Sequence, residues 1–184
     1  ANYIDKPGLL IAAHFDKDTN IPYFKRGRAA FEKKINTNPM YKNVEIVDLS
    51  SELAKEGSID AVLTFRNLHN WLGPQMDNIF SNTYKVLKPG GIFGVVEHRA
   101  NPGTSMEKMK KSGYVTEEHA IKVAEKHGFT LVSKSEINAN PKDTKDYPRG
   151  VWTLPPSLRL KDKDKDKYLE IGESDRMTLL FKKL

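Results

Sequence analysis

The chain has 184 residues, of which 38% are hydrophobic and 29% charged, which excludes a disordered chain and suffices for one folded domain. Its net charge of +6 comes from 30 basic and 24 acidic residues that are mostly interleaved, so no nucleic-acid-binding surface is expected. It contains no cysteine, which excludes disulfides and thiolate metal sites, and no apolar run long enough to span a membrane. We expect a single cytoplasmic domain over residues 1–184, although the composition leaves an exported form open.

The first predicted elements are a strand, a helix and a second strand. Residues 8–14 form a short apolar run that indicates a strand, and Val44–Asp48 is the next one. Between them, Asn20 and Pro22 are typical of a helix start, and the helix is expected to end within residues 36–39.

Two apolar runs in the middle of the chain predict neighbouring buried strands. Ile59–Phe65 and residues 92–97 lack polar alternation, which is typical of a sheet covered on both faces. Between these strands, residues 73–74 begin an amphipathic helix. Residues 88–91 are predicted to end the helix in a turn, because Pro89 cannot continue it.

The last third of the chain predicts one helix and two strands. Residues 101–114 are expected to be a mobile connection, and Thr116 is predicted to cap a helix that Gly128 ends. Strands are predicted at residues 130–137 and 177–181.

A long irregular segment, residues 138–167, separates the last two predicted strands. A structureless stretch of this length inside a domain is either functional or wrongly assigned. Its part at residues 151–156 is too apolar for a free linker, so we expect it to pack over the site as a lid or wall. The alternating Lys/Asp run at residues 161–167 predicts a solvated loop.

Polar residues follow the two central strands at their carboxyl ends, where open α/β sheets bind ligands. Residues 66–71 follow the first strand, and residues 97–99 end the second. His69 is a candidate general base because the pKa of an imidazole lies near neutrality. A carboxylate such as Glu97 could orient either His69 or His98.

The side chains of His14, His69, Glu97 and His98 can also be interpreted as a metal site. No His-x-x-x-His or His-Glu-x-x-His spacing supports this interpretation. Glu97 and His98 are adjacent in sequence, so their side chains need not converge, and no metal is predicted.

Five segments carry a resemblance to a known family: DAVLTFRN (60–67), LKPGG (87–91), GVVEH (94–98), WTLPP (152–156) and ESDR (173–176). From about Gly8 to the C-terminus, the chain resembles a class I S-adenosylmethionine-dependent methyltransferase, and most closely a bacterial group whose members are predicted to methylate small molecules. The resemblance implies a Rossmann-like, doubly wound α/β sheet that is mostly parallel with an antiparallel C-terminal strand. It also implies S-adenosylmethionine as cofactor and a small-molecule acceptor as substrate.

The resemblance assigns roles to the candidate residues by their positions. The residues implied to bind the cofactor are His14, Asp48, Leu49, Arg66 and Asn67. Those implied to contact the acceptor are Asn70, Trp71, Arg99 and Trp152. The catalytic candidates are His69, Glu97 and His98.

The sequence departs from this family at its beginning. Such enzymes open with a strand that ends in a Gly-x-Gly-x-Gly turn, and no such turn occurs here. By their order in the chain, residues 8–14 match the family's second strand. The family's first strand, which lies at the centre of the sheet between the second and the fourth, is then missing, and those two strands each keep an unpaired edge. We expect an N-terminally incomplete chain that alone binds the cofactor weakly or not at all. A rearranged sheet or a partner strand are the alternatives, and an unfilled slot would promote association between copies.

Two other functions were weighed. A truncated or degenerate domain that serves as a non-catalytic binding or interaction module is favoured by the short N-terminal segment. A nicotinamide-dependent oxidoreductase also uses a doubly wound sheet, but it too needs a glycine-rich first turn, and the turn predicted at residues 88–91 speaks against it.

Overall fold

The computed structural model describes residues 8–184, which divide into two compact units, residues 8–55 and 56–184. Each unit is described by itself, and the single domain expected over residues 1–184 stays a prediction. Within the described residues, no helix combines the length and the apolar character needed to cross a bilayer.

The N-terminal unit is a parallel strand pair connected by a helix. Strand β1 (Leu10–His14) pairs with β2 (Val44–Asp48), in a register that places His14 beside Asp48. Helix α1 (Pro22–Thr37) lies between them in sequence, and Ile21 rather than Asn20 precedes it, without a side-chain cap. The predicted Asn20 cap is therefore wrong, and the fixed φ of proline at the first helical position favours the helix start instead.

The C-terminal unit contains a four-stranded sheet in the order β3-β4-β6-β5. Strands β3 (Ile59–Phe65) and β4 (Leu87–His98) are parallel. Strand β6 (Arg176–Lys183) runs antiparallel to both β4 and β5 (Phe129–Ser135). The predicted sheet with an antiparallel C-terminal strand is confirmed. Within the described residues, β1 pairs only with β2, and β3 pairs only with β4. Strands β1 and β3 are the two that were expected to flank the missing strand.

Five helices cover this unit: α2 (Leu68–Trp71), α3 (Pro74–Val86), α4 (Met106–Ser112), α5 (Glu117–Lys126) and α6 (Lys165–Ile171). Helices α3 and α5 were predicted, and Thr116 caps α5 by accepting a hydrogen bond from the backbone N–H of His119.

Two predictions of local structure are corrected, and the turn predicted at residues 88–91 is confirmed. Helix α3 ends at Val86, and residues 88–91 form an unpaired bulge at the start of β4, because the pairing with β3 passes from Leu87 to Ile92 and Gly90 has a φ of 78°. The connection at residues 101–114 contains α4, which Ser105 caps by accepting from the N–H of Lys108. The run at residues 161–167 is only partly a loop, because α6 begins within it.

Four phenylalanine rings form the centre of the core between the sheet and α3. Phe93 of β4 lies 5.1 Å from Phe80, 5.3 Å from Phe129 and 6.1 Å from Phe181, measured between ring centroids. All four rings are buried, and such aromatic pairs add about 0.5–1.5 kcal/mol each beyond their buried area. This packing holds β4 in place, and with it the strand end that carries Glu97.

Candidate functional site

The carboxyl ends of β3 and β4 bring the catalytic candidates together. The two ends are in register, and the backbone N–H of Arg66 donates to the carbonyl of Val96 at 2.7 Å. The short helix α2 follows directly and is anchored by the buried side chains of Leu68 and Trp71. Because α2 begins immediately after the strand, it turns His69 back towards the end of β4.

Glu97 is the buried centre of this site. Its side chain is fully buried, and its carboxylate accepts from the backbone N–H of His69 at 3.3 Å and of His98 at 2.8 Å. It also contacts Nδ1 of His69 at 3.0 Å. Because an ionised carboxylate only accepts, Nδ1 of His69 carries the hydrogen, and Nε2 presents its lone pair. These donors offset part of the cost of burying the charge.

His98 lies next to His69, with 5.4 Å between the ring centroids, and its Nδ1 hydrogen-bonds the hydroxyl of Ser174. Burial lowers the pKa of His98 to about 3, with smaller contributions from its neighbours His69, Arg66 and Arg176. His98 is therefore a neutral imidazole at physiological pH and a hydrogen-bonding group for a ligand.

The neutral state of His98 predicts a pH dependence of stability. Because burial lowers its pKa from 6.5 to about 3, the unfolded chain binds a proton that the folded chain does not. The stability contributed by this residue is complete above pH 6.5 and declines towards pH 3, at up to about 1.4 kcal/mol per pH unit. We expect the His98 Hε1 resonance to stay constant between roughly pH 4.5 and 8, since the folded group titrates far below that range. A midpoint near 6.5 in the NMR titration would contradict this result.

Trp152 and Tyr114 form one side of the site. The rings of Trp152 and His69 meet edge to face with 5.9 Å between their centroids, and Tyr114 lies 6.2 Å from His98. Val151 is buried against Tyr114, and Trp152 packs on the same cluster. The expectation that residues 151–156 pack over the site is confirmed for these two side chains.

Arg99, predicted to bind the acceptor, has its guanidinium surrounded by three carboxylates. It bonds Glu136 and Asp175 bidentately at 2.7–3.0 Å and Glu117 at 3.1 Å. Although burial raises the pKa of Asp175, hydrogen bonds from Arg99 and Lys145 lower it to about 2. The network ties β4 to α5 and to the segment before β6, and an acceptor contact of Arg99 stays a prediction.

The other candidates of this unit differ in exposure. Arg66 and Asn70 are exposed, and Arg66 adopts a left-handed backbone conformation with φ of 58°. The amide of Asn67 donates to the hydroxyl of Thr64 at 3.4 Å. Trp71 is buried, so its ring contributes mainly to packing of α2. Their contacts with cofactor or acceptor remain predictions.

In the N-terminal unit, the predicted cofactor residues lie at the ends of β1 and β2. The N–H of Leu49 donates to the carbonyl of His14 at 2.9 Å, and Asp48 accepts from the guanidinium of Arg28 at 2.7 Å. The ring of His14 stacks on Phe31 at 4.7 Å. Burial, and then the charge of Arg28, lower the pKa of His14. Its buried Nδ1 has no hydrogen-bond partner in the part of the chain that the structure describes, and its contact with the cofactor remains a prediction.

The structure also corrects the argument that Glu97 and His98 need not converge. One possible metal-ligand atom each from His69, Glu97 and His98 lies within 4.8 Å of the others. Both carboxylate oxygens of Glu97 already accept N–H groups, however.

Sequence reasoning missed several residues that support the site. Ser174 belongs to the family segment at residues 173–176, and its place three residues before the predicted strand at 177–181 was a usable signal. Asp143, which accepts from the hydroxyl of Tyr114 at 3.0 Å, lies in the irregular segment and gave no signal. Arg28 and Glu32 form an ion pair at 2.8 Å, and their i,i+4 spacing could have indicated it.

Comparison with known proteins shows which fold the chain has. Residues 12–95 match a family model described as a methyltransferase domain, whereas a search for similar curated proteins returned no match. Among solved structures, the [4+2]-cyclase SpnF superposes with a TM-score of 0.59 at 16% identity, over 96% of this chain and 76% of that one. A S-adenosylmethionine-dependent methyltransferase from Methanosarcina mazei gives 0.57 at 12% identity, over 95% and 81%.

A third similar structure is geranyl diphosphate C-methyltransferase from Streptomyces coelicolor A3(2). Its TM-score is 0.58 at 10% identity, over 96% of this chain and 70% of that one. The predicted recognition is confirmed: the chain has the fold of the class I S-adenosylmethionine-dependent methyltransferases, and residues 12–95 carry the methyltransferase-domain signature.

Proposed function

We propose that this protein transfers a methyl group from S-adenosylmethionine to a small-molecule acceptor. The observation that carries the proposal is the hydrogen bond from Nδ1 of His69 to the fully buried Glu97, at the carboxyl end of parallel strands. The family match and the fold support the cofactor, which supplies an electrophilic methyl group on a sulfonium when bound.

The residues present fit the nucleoside end of this cofactor. The unpartnered Nδ1 of His14 can hydrogen-bond a ribose hydroxyl, and one oxygen of Asp48 remains for the adenine amino group. The glycine-rich turn that the class uses for the methionine end does not occur in this sequence. The amide of Asn67 and the backbone of Arg66 are proposed for that end.

His69 is proposed to accept the proton that an acceptor hydroxyl or amine loses as its lone pair forms the bond to the methyl carbon. The sulfonium–methyl bond breaks at the same time and leaves a neutral thioether. Alignment of the two reacting atoms supplies most of the rate, so the base contributes a smaller factor. Glu97 stabilises the imidazolium that forms at His69, and His98 holds the acceptor as a neutral hydrogen-bonding group.

The wall beside the histidines is proposed to contact the rest of the acceptor. Trp152 offers an aromatic face, and Asn70 an amide, at the end of β3. Trp71 and Arg99 are proposed to support the acceptor site indirectly. Trp71 acts mainly through the packing of α2, and Arg99 acts mainly by holding β4 in position.

A non-catalytic binding module is the second candidate. Leu63 and Phe65 of β3 are 59% and 57% exposed, which is unusual for large apolar side chains of a parallel strand and suits a binding surface. The similarity to a protein described as a cyclase also agrees with the general rule that a fold does not fix its chemistry.

Titration calorimetry with S-adenosylhomocysteine tests the cofactor. We expect residues 1–184 to bind S-adenosylhomocysteine about tenfold or more weakly than micromolar affinity, since the glycine turn is absent from them. His14→Ala should weaken binding by about tenfold, the value of one hydrogen bond, and His127→Ala should not change it. No detectable binding would contradict S-adenosylmethionine as the cofactor and favour the non-catalytic binding module.

A further inference from the structure

Three arginines lie on segments next to the histidine pair. Arg66 lies at the end of β3, where its backbone is bonded to Val96. Arg176 is the direct cross-strand neighbour of His98 in the pairing of β4 with β6. The guanidinium of Arg159 lies 4.6 Å from the ring centre of Trp152, the ring that contacts His69. We call Arg66, Arg159 and Arg176 the arginine rim.

The arginine rim has little anionic compensation. Arg66 and Arg159 are exposed and form no ion pair with any residue that the structure describes. Arg176 pairs with the half-exposed Glu173 at 2.8 Å, but its buried Nε has no hydrogen-bond partner in the described part of the chain. A guanidinium nitrogen without a partner is costly to bury, so this position favours an acceptor group from a ligand.

The carboxylates close to the site are already engaged. Glu97 is fully buried, and both of its oxygens accept N–H groups from the two histidines. Asp175 is bound by Arg99 and Lys145. The charges of Arg66 and Arg176 contribute to lowering the pKa of His98, after burial and His69, which agrees with a positive potential at the histidines.

We infer that the acceptor is a small anion, with a carboxylate or phosphate beside the group that is methylated. This inference rests on the proposed function and specifies its substrate class. Guanidinium groups bind planar carboxylates and phosphates through charge-assisted, often bidentate hydrogen bonds. Trp152 and the histidine rings provide faces for a flat acceptor, so a hydroxylated aromatic acid fits this arrangement.

Two probes that differ only in charge test the inference without the cofactor. The full chain is titrated with 4-hydroxybenzoate and with 4-hydroxybenzamide, and binding is followed by the NMR signals of the histidine Hε1 and Trp152 indole protons. We expect the acid to bind at least about tenfold more tightly than the amide, since hydrogen bonds to charged groups are the stronger ones. About 0.5 M NaCl should reduce the ratio, because it shortens the screening length to a few ångström.

Variants of the rim arginines test which residues cause the preference for the acid over the amide. Arg66→Gln and Arg159→Gln are each expected to bring the acid-to-amide ratio close to one, whereas Arg26→Gln should leave it unchanged. Arg26 is a matched control because it is also exposed and forms no ion pair within the described residues. Equal binding of acid and amide, no binding of the acid, or an unchanged ratio in both rim variants would overturn the inference. If the acid binds as expected while S-adenosylhomocysteine does not, the anion site stands and the methyl-transfer proposal fails.

Discussion

Replacing Glu97 with glutamine is expected to lower the free energy of unfolding by about 2 kcal/mol, because it leaves buried N–H groups without a hydrogen-bond acceptor. Glutamine has nearly the same shape as glutamate. Its amide nitrogen, however, would face N–H groups of His69 and His98 that now donate hydrogen bonds to the carboxylate. Urea denaturation followed by circular dichroism measures this loss.

The matched control is Glu118→Gln, an exposed glutamate on α5, for which we expect a change within about 0.5 kcal/mol. The nitrogen chemical shifts of His69 give a second readout. They should report hydrogen on Nδ1 in the native protein and a mixture of tautomers in Glu97→Gln, since the carboxylate fixes the tautomer. Equal stability of the two variants, with an unchanged tautomer, would contradict the positioning role of Glu97.

Replacing Arg99 with glutamine is expected to cost about 3 kcal/mol at pH 7. The change removes the bidentate partner of Asp175, whose side chain is only 6% exposed, and leaves Lys145 as its remaining ion pair. Because the folded pKa of Asp175 is lowered to about 2 from 3.8, its contribution is complete above pH 3.8 and is lost as the pH falls towards 2. The difference between native and variant proteins should therefore be smaller at pH 3 than at pH 7.

Urea denaturation at the two pH values measures this, with Arg26→Gln as the control. If Arg99 served only to contact the acceptor, its replacement would leave stability unchanged at both pH values. That result would contradict the role of the carboxylate network in holding β4, α5 and the segment before β6 together.

The order of strands and the class of fold could be predicted because buried strands have strong sequence signals. Val44–Asp48 and Ile59–Phe65 were predicted with the bounds that the structure shows, since each is a mostly apolar run that a polar residue either ends or follows. Helices α4 and α6 were missed because they are short and rich in lysine, and only one side chain of each is buried. Short polar helices depend on tertiary packing rather than on their own pattern.

The parts of the candidate site that could be predicted from the sequence are those that lie at the ends of strands. Sequence reasoning proposed that a carboxylate orients a histidine there, and the contact between Glu97 and His69 has that geometry, although its catalytic role remains a proposal. The partners of His98 and Arg99 could not be predicted, because Ser174 and Asp175 lie 76 residues further along the chain. Only the pairing of β6 with β4 brings them near.

The most direct test of the account is methyl transfer itself, measured with S-adenosylmethionine labelled in its methyl group and a panel of hydroxylated aromatic acids. The protein form that binds S-adenosylhomocysteine is compared with its His69→Gln and His127→Gln variants. We predict that at least one acid is methylated, and that His69→Gln lowers kcat about 10²-fold, the lower end of general-base effects, with binding of S-adenosylhomocysteine unchanged. His127→Gln should behave as the native protein. Equal rates for both variants, or no methylated product with any acceptor, would contradict the account.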